Sequence, residues 1–207
     1  MAKKGLSRLF MAEYNYDEKS KKVTYKNGCE NERMASYSTE ISSSEASNLY
    51  LNNQIAETEG GKFQSGTFTL ETGDLSPETS IMICGLKKKS VTITGVDDPV
   101  EEIIYDDDMK PTDLGIGTIE LHQKNGVEFY RAIVLPKVFF NVPSDSATTK
   151  GESVEWQTQE TSGTIQRSDE LTEENKHPWK RYADCATEEI AVAYIKHLLN
   201  ITDEVQE

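Results

Sequence analysis

The chain has 207 residues, room for one domain with appendages, and its 22 Lys and Arg against 36 Asp and Glu give a net charge of −14. Such a surface repels the phosphate backbone that nucleic-acid binders hold with clustered cations, which argues against sequence-reading binding of DNA or RNA. Cys29, Cys84 and Cys185 are odd in number and far apart with no CxxC pair, which argues against a disulfide framework or a zinc knuckle and for a reducing cytoplasm.

In chain order, the opening "MAKKGLSRLFMAEYNY" has the charge of a secretion signal, but Arg8 and Glu13 bracket too short an apolar run. Later apolar runs such as "AIVLP" are also too short to span a membrane, so the expectation is a soluble intracellular product. "RMASYSTEISSS" alternates with period two, placing Ala35, Tyr37, Thr39 and Ile41 on one face and Ser36, Ser38, Glu40 and Ser42 on the other. Residues Ser43–Lys62 then read as a long, polar, poorly patterned loop that nevertheless carries Leu49, Tyr50, Leu51 and Ile55. Apolar residues in such a loop are better explained by a partner than by a monomer core. "KFQSGTFTLET" predicts a strand with Phe68 and Leu70 on one face and Thr67, Thr69 and Glu71 opposite.

"LSPETSIMICG" predicts a short helix, with Ser76 as N-cap, Pro77 where a missing N–H does no harm, Glu78 at the positive end and Gly85 as the stop. Lys87-Lys88-Lys89 reads as a solvated turn after that helix, and Asp97–Asp108 as an acidic loop. "GIGTIELHQ" and "VEFYRAIVLPKVFFNV" flank Asn125-Gly126, the pair suited to a type I′ hairpin turn. Both faces of the second arm are apolar around Ala132–Leu135, so it is expected to be a central strand covered on both sides. "TTKGESVEWQTQETSGTI" alternates again, with Val154 and Trp156 opposite Glu155 and Gln157. After a polar segment, Asp169–Lys176, "TEEIAVAYIKHLLN" predicts a helix begun by Thr187, with Ile190, Ala191, Tyr194, Ile195 and Leu198 on one stripe and Lys196 and His197 near its end. The acidic tail "ITDEVQE" is expected to be loose. The sum is a single, mostly antiparallel β-domain with two flanking helices.

Chemistry is sparse. An EF-hand loop starting at Asp106 would need Gly at 111 and Glu at 117, where the chain has Pro111 and Gly117. Gly115-Ile116-Gly117 is followed by Glu120 and leads into a strand, so it is not a dinucleotide fingerprint. His122, His177 and His197 have no ligand partner at helical or loop spacing, and no sequence context supports a Cys185–His177 nucleophilic pair. The expectation is no enzyme, no catalytic residues, no metal and no cofactor.

The stretches "GLSRLFMAEY", "SSSEASNLYLNNQIAETEGG", "GTFTLETGDLSPETSIMICG" and, most specifically, "YRAIVLPKVFFNVPSDSATTKGESVEWQTQETSGTI" are followed by Trp179 and the helix Thr187–Leu199. Together, over roughly Gly5 to Leu199, they resemble the major tail protein of long-tailed, non-contractile bacteriophages. The run "LYLNNQ", the acidic stretch around Asp106 and the acidic tail depart from that pattern. The resemblance implies a β-sandwich of the tail-tube kind whose copies form hexameric rings. The rings would stack around a tape-measure protein, between initiator and terminator proteins, into a tube that later conducts the genome. It implies a virion protein assembled in the bacterial cytoplasm, past which DNA moves without sequence-specific binding. On that reading Ser36, Ser38, Glu40 and Ser42 line the bore, and Ser43–Lys62, with Leu49, Tyr50, Leu51 and Ile55, is the intersubunit arm. The alternative is a β-sandwich binding module of a phage or bacterial surface, for which Trp156 and Trp179 are the aromatic candidates.

Overall fold

The Asn125-Gly126 turn forms as its sequence predicts. Both residues have positive φ, 51° and 82°, and Lys124 pairs with Val127 across them. The computed structural model containing this turn describes residues 2–30, 33–73, 75–95, 97–144, 149 and 158–202. In chain order the elements are β1 (Ala2–Asp17), β2 (Lys22–Glu30), β3 (Met34–Ser43), β4 (Ser47–Leu51), β5 (Gln54–Glu59), β6 (Phe63–Thr72) and α1 (Pro77–Cys84). They continue with β7 (Lys87–Val91), β8 (Val100–Ile104), β9 (Leu114–Lys124), β10 (Val127–Phe140), β11 (Gln159–Ile165), β12 (Arg181–Cys185) and α2 (Glu188–Leu198). The fold is thus mainly β with two helices. No helix among the described residues is long and apolar enough to cross a membrane.

Eight strands make one antiparallel sheet in the order β2-β1-β9-β10-β11-β6-β3, with β12 also paired to β10. This sheet folds over on itself. The first part of β10 pairs with β9 and β12, its last residues pair with β11, and the register shifts between Leu135 and Val138. Pro136 sits at that shift; it has no N–H to give the ladder, and an irregularity is where a central strand tolerates it. The fold-over brings β3 against β1 and β9, with the Thr118 hydroxyl 4.0 Å from Met34 Sδ.

Apolar residues fill both sides of the first layer. Leu9 and Met11 of β1 join Phe68, Leu70, Ile116, Phe140 and Ile83 in the core between the layers. Their neighbours Phe10 and Ala12 point the other way, onto Ala132, Val134, Ala191 and Ile195 beneath α2. This two-sided burial is what β10 was expected to have. α1 carries its expected caps: the Ser76 hydroxyl accepts from the Thr79 amide, and Gly85 takes the left-handed conformation at φ 63°. In α2 the Thr187 hydroxyl accepts from the Ile190 amide.

The G-I-G stretch has a structural use. A Cβ at Gly117 would lie 2.4 Å from Ile195 Cγ2, so the missing side chain is what lets α2 settle directly on β9.

Four expectations change. The N-terminal stretch, given no element by the sequence, is the long strand β1. The Lys87–Lys89 clump is a strand and not a turn; β7 pairs with β8, which occupies the middle of the expected acidic loop. Lys87 there meets Asp106 and Asp108 at 3.3 and 2.7 Å, and Lys88 pairs with Glu101. Ile190 is 53% exposed, because α2 seats itself through Ala191, Ile195 and Leu199. On β3, Ala35 falls at a register shift and is exposed, and Ile41 is 42% exposed beside Gly66, which has no side chain to cover it. Val154 and Trp156 lie outside the described residues.

Candidate functional site

The segment expected to be a loop is a β-ribbon. The β3–β6 pair runs on past the sheet: the Ser44 amide donates to the Lys62 carbonyl at 2.8 Å and the Gly61 amide to the Ser44 carbonyl at 3.2 Å. β4 and β5 then pair antiparallel around Asn52 and Asn53, both at positive φ, 51° and 64°. Asparagine tolerates that conformation, so the Asn-Asn pair between two short runs was the signal that the loop assignment missed. Every residue of both strands is exposed: Leu49 by 51%, Tyr50 by 62%, Leu51 by 58% and Ile55 by 56%. Tyr50 pairs with Ile55, so these two share one face, while Leu49 and Leu51 alternate onto the other. A lone two-stranded hairpin is marginal in water, and covering one such side chain contributes about 1.5–3 kcal/mol. Its apolar side chains are thus left to water by the described residues of this chain.

The polar face of β3 spreads over three strands. Ser36 lies beside Glu71 and then Glu160, Ser38 beside Thr69 and Ser162, Glu40 beside Thr67 and Thr164, and Ser42 beside Ser65. Ser36, Ser38, Glu40 and Ser42 are all exposed. These rows hold hydroxyls and carboxylates and no Lys, Arg or His. Thr158 and Ser36 donate to the two oxygens of Glu71 at 2.6 and 2.7 Å and hold its carboxyl below the usual carboxylate range.

A third feature was not visible in the sequence. Where the two layers part, above the apolar core, β9 turns Thr118, Glu120 and His122 toward β3. Glu120 is 3% exposed. Its carboxylate accepts from Lys3 Nζ and the Tyr37 hydroxyl, each at 2.5 Å, and lies 2.7 Å from His122 Nε2. Burial alone would raise the Glu120 pKa; the Lys3, Tyr37 and His122 contacts outweigh it and hold the carboxyl below its ordinary value. The same burial, with the Glu120 charge, pushes the Tyr37 hydroxyl far up, so it stays a donor. Around this network opens a cleft of about 610 Å³, lined by Lys3, Tyr37, Arg131, Trp179, Lys180 and Tyr182 among others. No single strand carries it, which is why periodicity did not show it.

The remaining candidates stand apart. His177 Nδ1 is 3.0 Å from the Ser168 carbonyl, while Cys185 is buried under α2 and its thiol pKa is raised by that burial. Trp179 stacks on Phe63 with ring centroids 4.4 Å apart. Among the described residues no group of three or more His, Cys, Asp or Glu side chains converges as a metal site. No protein-family model matches the chain, and no curated protein matches it in sequence.

Proposed function

We propose that this chain is the structural subunit of a phage tail tube, assembling with copies of itself into hexameric rings that stack around a tape-measure protein and later conduct DNA. The carrying observation is the β4–β5 ribbon, an extension of the main sheet with apolar side chains on both faces and none of its residues buried by its own chain. A heterologous contact of this kind, one copy's ribbon on the next copy's body, closes into rings or propagates as filaments. Among the described residues β2 and β3 end the sheet, and their outer edges offer further hydrogen-bonding rows that a closed assembly would cover.

The β3–β6–β11 face supports the bore assignment by its chemistry. Hydroxyls and carboxylates without a cation give a passing phosphate backbone nothing to bind. Initiator and terminator proteins, as partners at the tube ends, belong to the same proposal, as does a place in the virion tail.

Negative-stain electron microscopy of concentrated protein, beside light scattering of dilute protein, tests this reading. Hollow tubes or six-fold rings are expected. A particle that remains monomeric at high concentration, even when seeded with fragments of assembled tail, overturns it.

A further inference from the structure

The cleft between the parted layers has a charge balance that its own residues leave unfinished. Glu120 is satisfied by Lys3, Tyr37 and His122. Arg131 is satisfied by Asp184, which accepts from Nε and Nη2 at 2.6 and 2.9 Å, while the guanidinium lies 4.9 Å over the Tyr182 ring. Lys180 also lines the cleft, an exposed residue that forms no ion pair among the described residues. Partial burial of its amine pulls its pKa down, Glu120 opposes that, and the nearby Lys3 and Arg131 charges pull it down further. So in a chain of net charge −14, this recess retains one unmatched positive charge.

The walls beside that charge mix aromatic rings with polar and charged side chains. Trp179, Tyr37 and Tyr182 bring rings, and Ser38, Thr39 and Ile133 complete the lining. The volume, about 610 Å³, falls within the range of small-molecule sites, and the mouth of a closed or curled sheet is a common place for one. The single unmatched charge decides the ligand class. A phosphate dianion would bring one negative charge too many beside Glu120, and a neutral ring would make no use of the Lys180 charge.

We infer that this cleft binds a small monocarboxylate carried on a planar apolar body, with the carboxylate on Lys180 and the ring between Trp179 and the two tyrosines. The inference does not depend on assembly into a tube, because every residue it uses lies in one chain.

Benzoate is the probe, with benzyl alcohol and phenyl phosphate as comparisons, titrated by calorimetry into dilute full-length protein carrying Tyr50→Glu and Leu51→Lys to keep it unassembled. Saturable one-to-one binding of benzoate is expected, with benzyl alcohol and the Lys180→Met variant each weaker by about tenfold or more, the scale of one lost charge-assisted contact. Lys87→Met, which removes a lysine far along the chain on the β7–β8 hairpin, should leave it unchanged. No saturation by benzoate, undiminished affinity in both Lys180→Met and Lys180→Gln, or tighter binding of phenyl phosphate would each overturn the assignment. None of these outcomes bears on whether the unmodified chain forms tubes, so the two readings fail separately.

Discussion

The Tyr37 hydroxyl donates to the Glu120 carboxylate at 2.5 Å across 83 residues of sequence, tying the last strand of the folded sheet to its middle. Lys3 and His122 reach the same carboxylate from neighbouring positions on β1 and β9. The interaction therefore joins the two layers at the end where the apolar core stops.

Glu120→Gln should destabilise the fold by about 1–3 kcal/mol near neutral pH, since a buried charged acceptor with several donors is replaced by an amide that satisfies fewer of them. The pH dependence follows from the depressed carboxyl. Its stabilisation is complete above the ordinary glutamate pKa and is lost as pH falls through the lower value of the folded state. Urea denaturation of both proteins should show the gap narrowing below about pH 4. A gap that stays constant on acidification would show that charge at Glu120 is not what matters.

Replacing Tyr50 with Glu and Leu51 with Lys should leave a folded monomer that makes no tubes. Both side chains are already in water, so stability should change by no more than about 0.5 kcal/mol. Circular dichroism melts would check the folding and electron microscopy the assembly. Normal tubes from this variant would remove the ribbon from the interface.

If the β3 polar face lines a bore, Ser38→Cys in a Cys29→Ser background should react with a small maleimide in assembled tubes. It should resist a maleimide carried on a bulky protein, and the dilute monomer should react with both. Equal reaction of the tube with the bulky reagent would place Ser38 on the outside.

Gly117→Ala should cost about 1–3 kcal/mol by overpacking, because the new methyl would meet Ile195 Cγ2 at 2.4 Å. Adding Ile195→Ala should recover part of that loss, and a double-mutant cycle on thermal melts would read the coupling. Simple additivity of the two changes would mean that α2 does not rest on Gly117.

Local chemistry was legible in the sequence wherever one residue type satisfies one backbone requirement. Ser76 and Thr187 at helix starts, Gly85 at a helix end and Asn125-Gly126 at a turn all do what their side chains dictate. Long-range relationships were hidden. β1 reads as no clear pattern because Leu9–Ala12 are buried alternately against two different cores and bulges break its register. The β4–β5 ribbon was read as a loop because apolar residues on both faces leave no alternation to count. The Glu120 network draws its members from β1, β3 and β9, and only strand order brings them together. Gly117 carried a signal, but a glycine that makes room for a helix looks the same in sequence as one that cradles a phosphate.

The strands that present the polar face also carry the ribbon, and that makes them a lever. β3 and β6 stay hydrogen-bonded through the sheet and hand their pairing on to β4 and β5 by way of Ser44 and Lys62. At about 3.3 Å per residue, the ten residues of β3 form a beam of roughly 30 Å with the ribbon as its outer arm. In the proposed assembly a neighbour gripping Tyr50 would set the pitch of the row from Ser36 to Ser42, so docking geometry at the rim and the slope of the polar wall would be two readings of one angle.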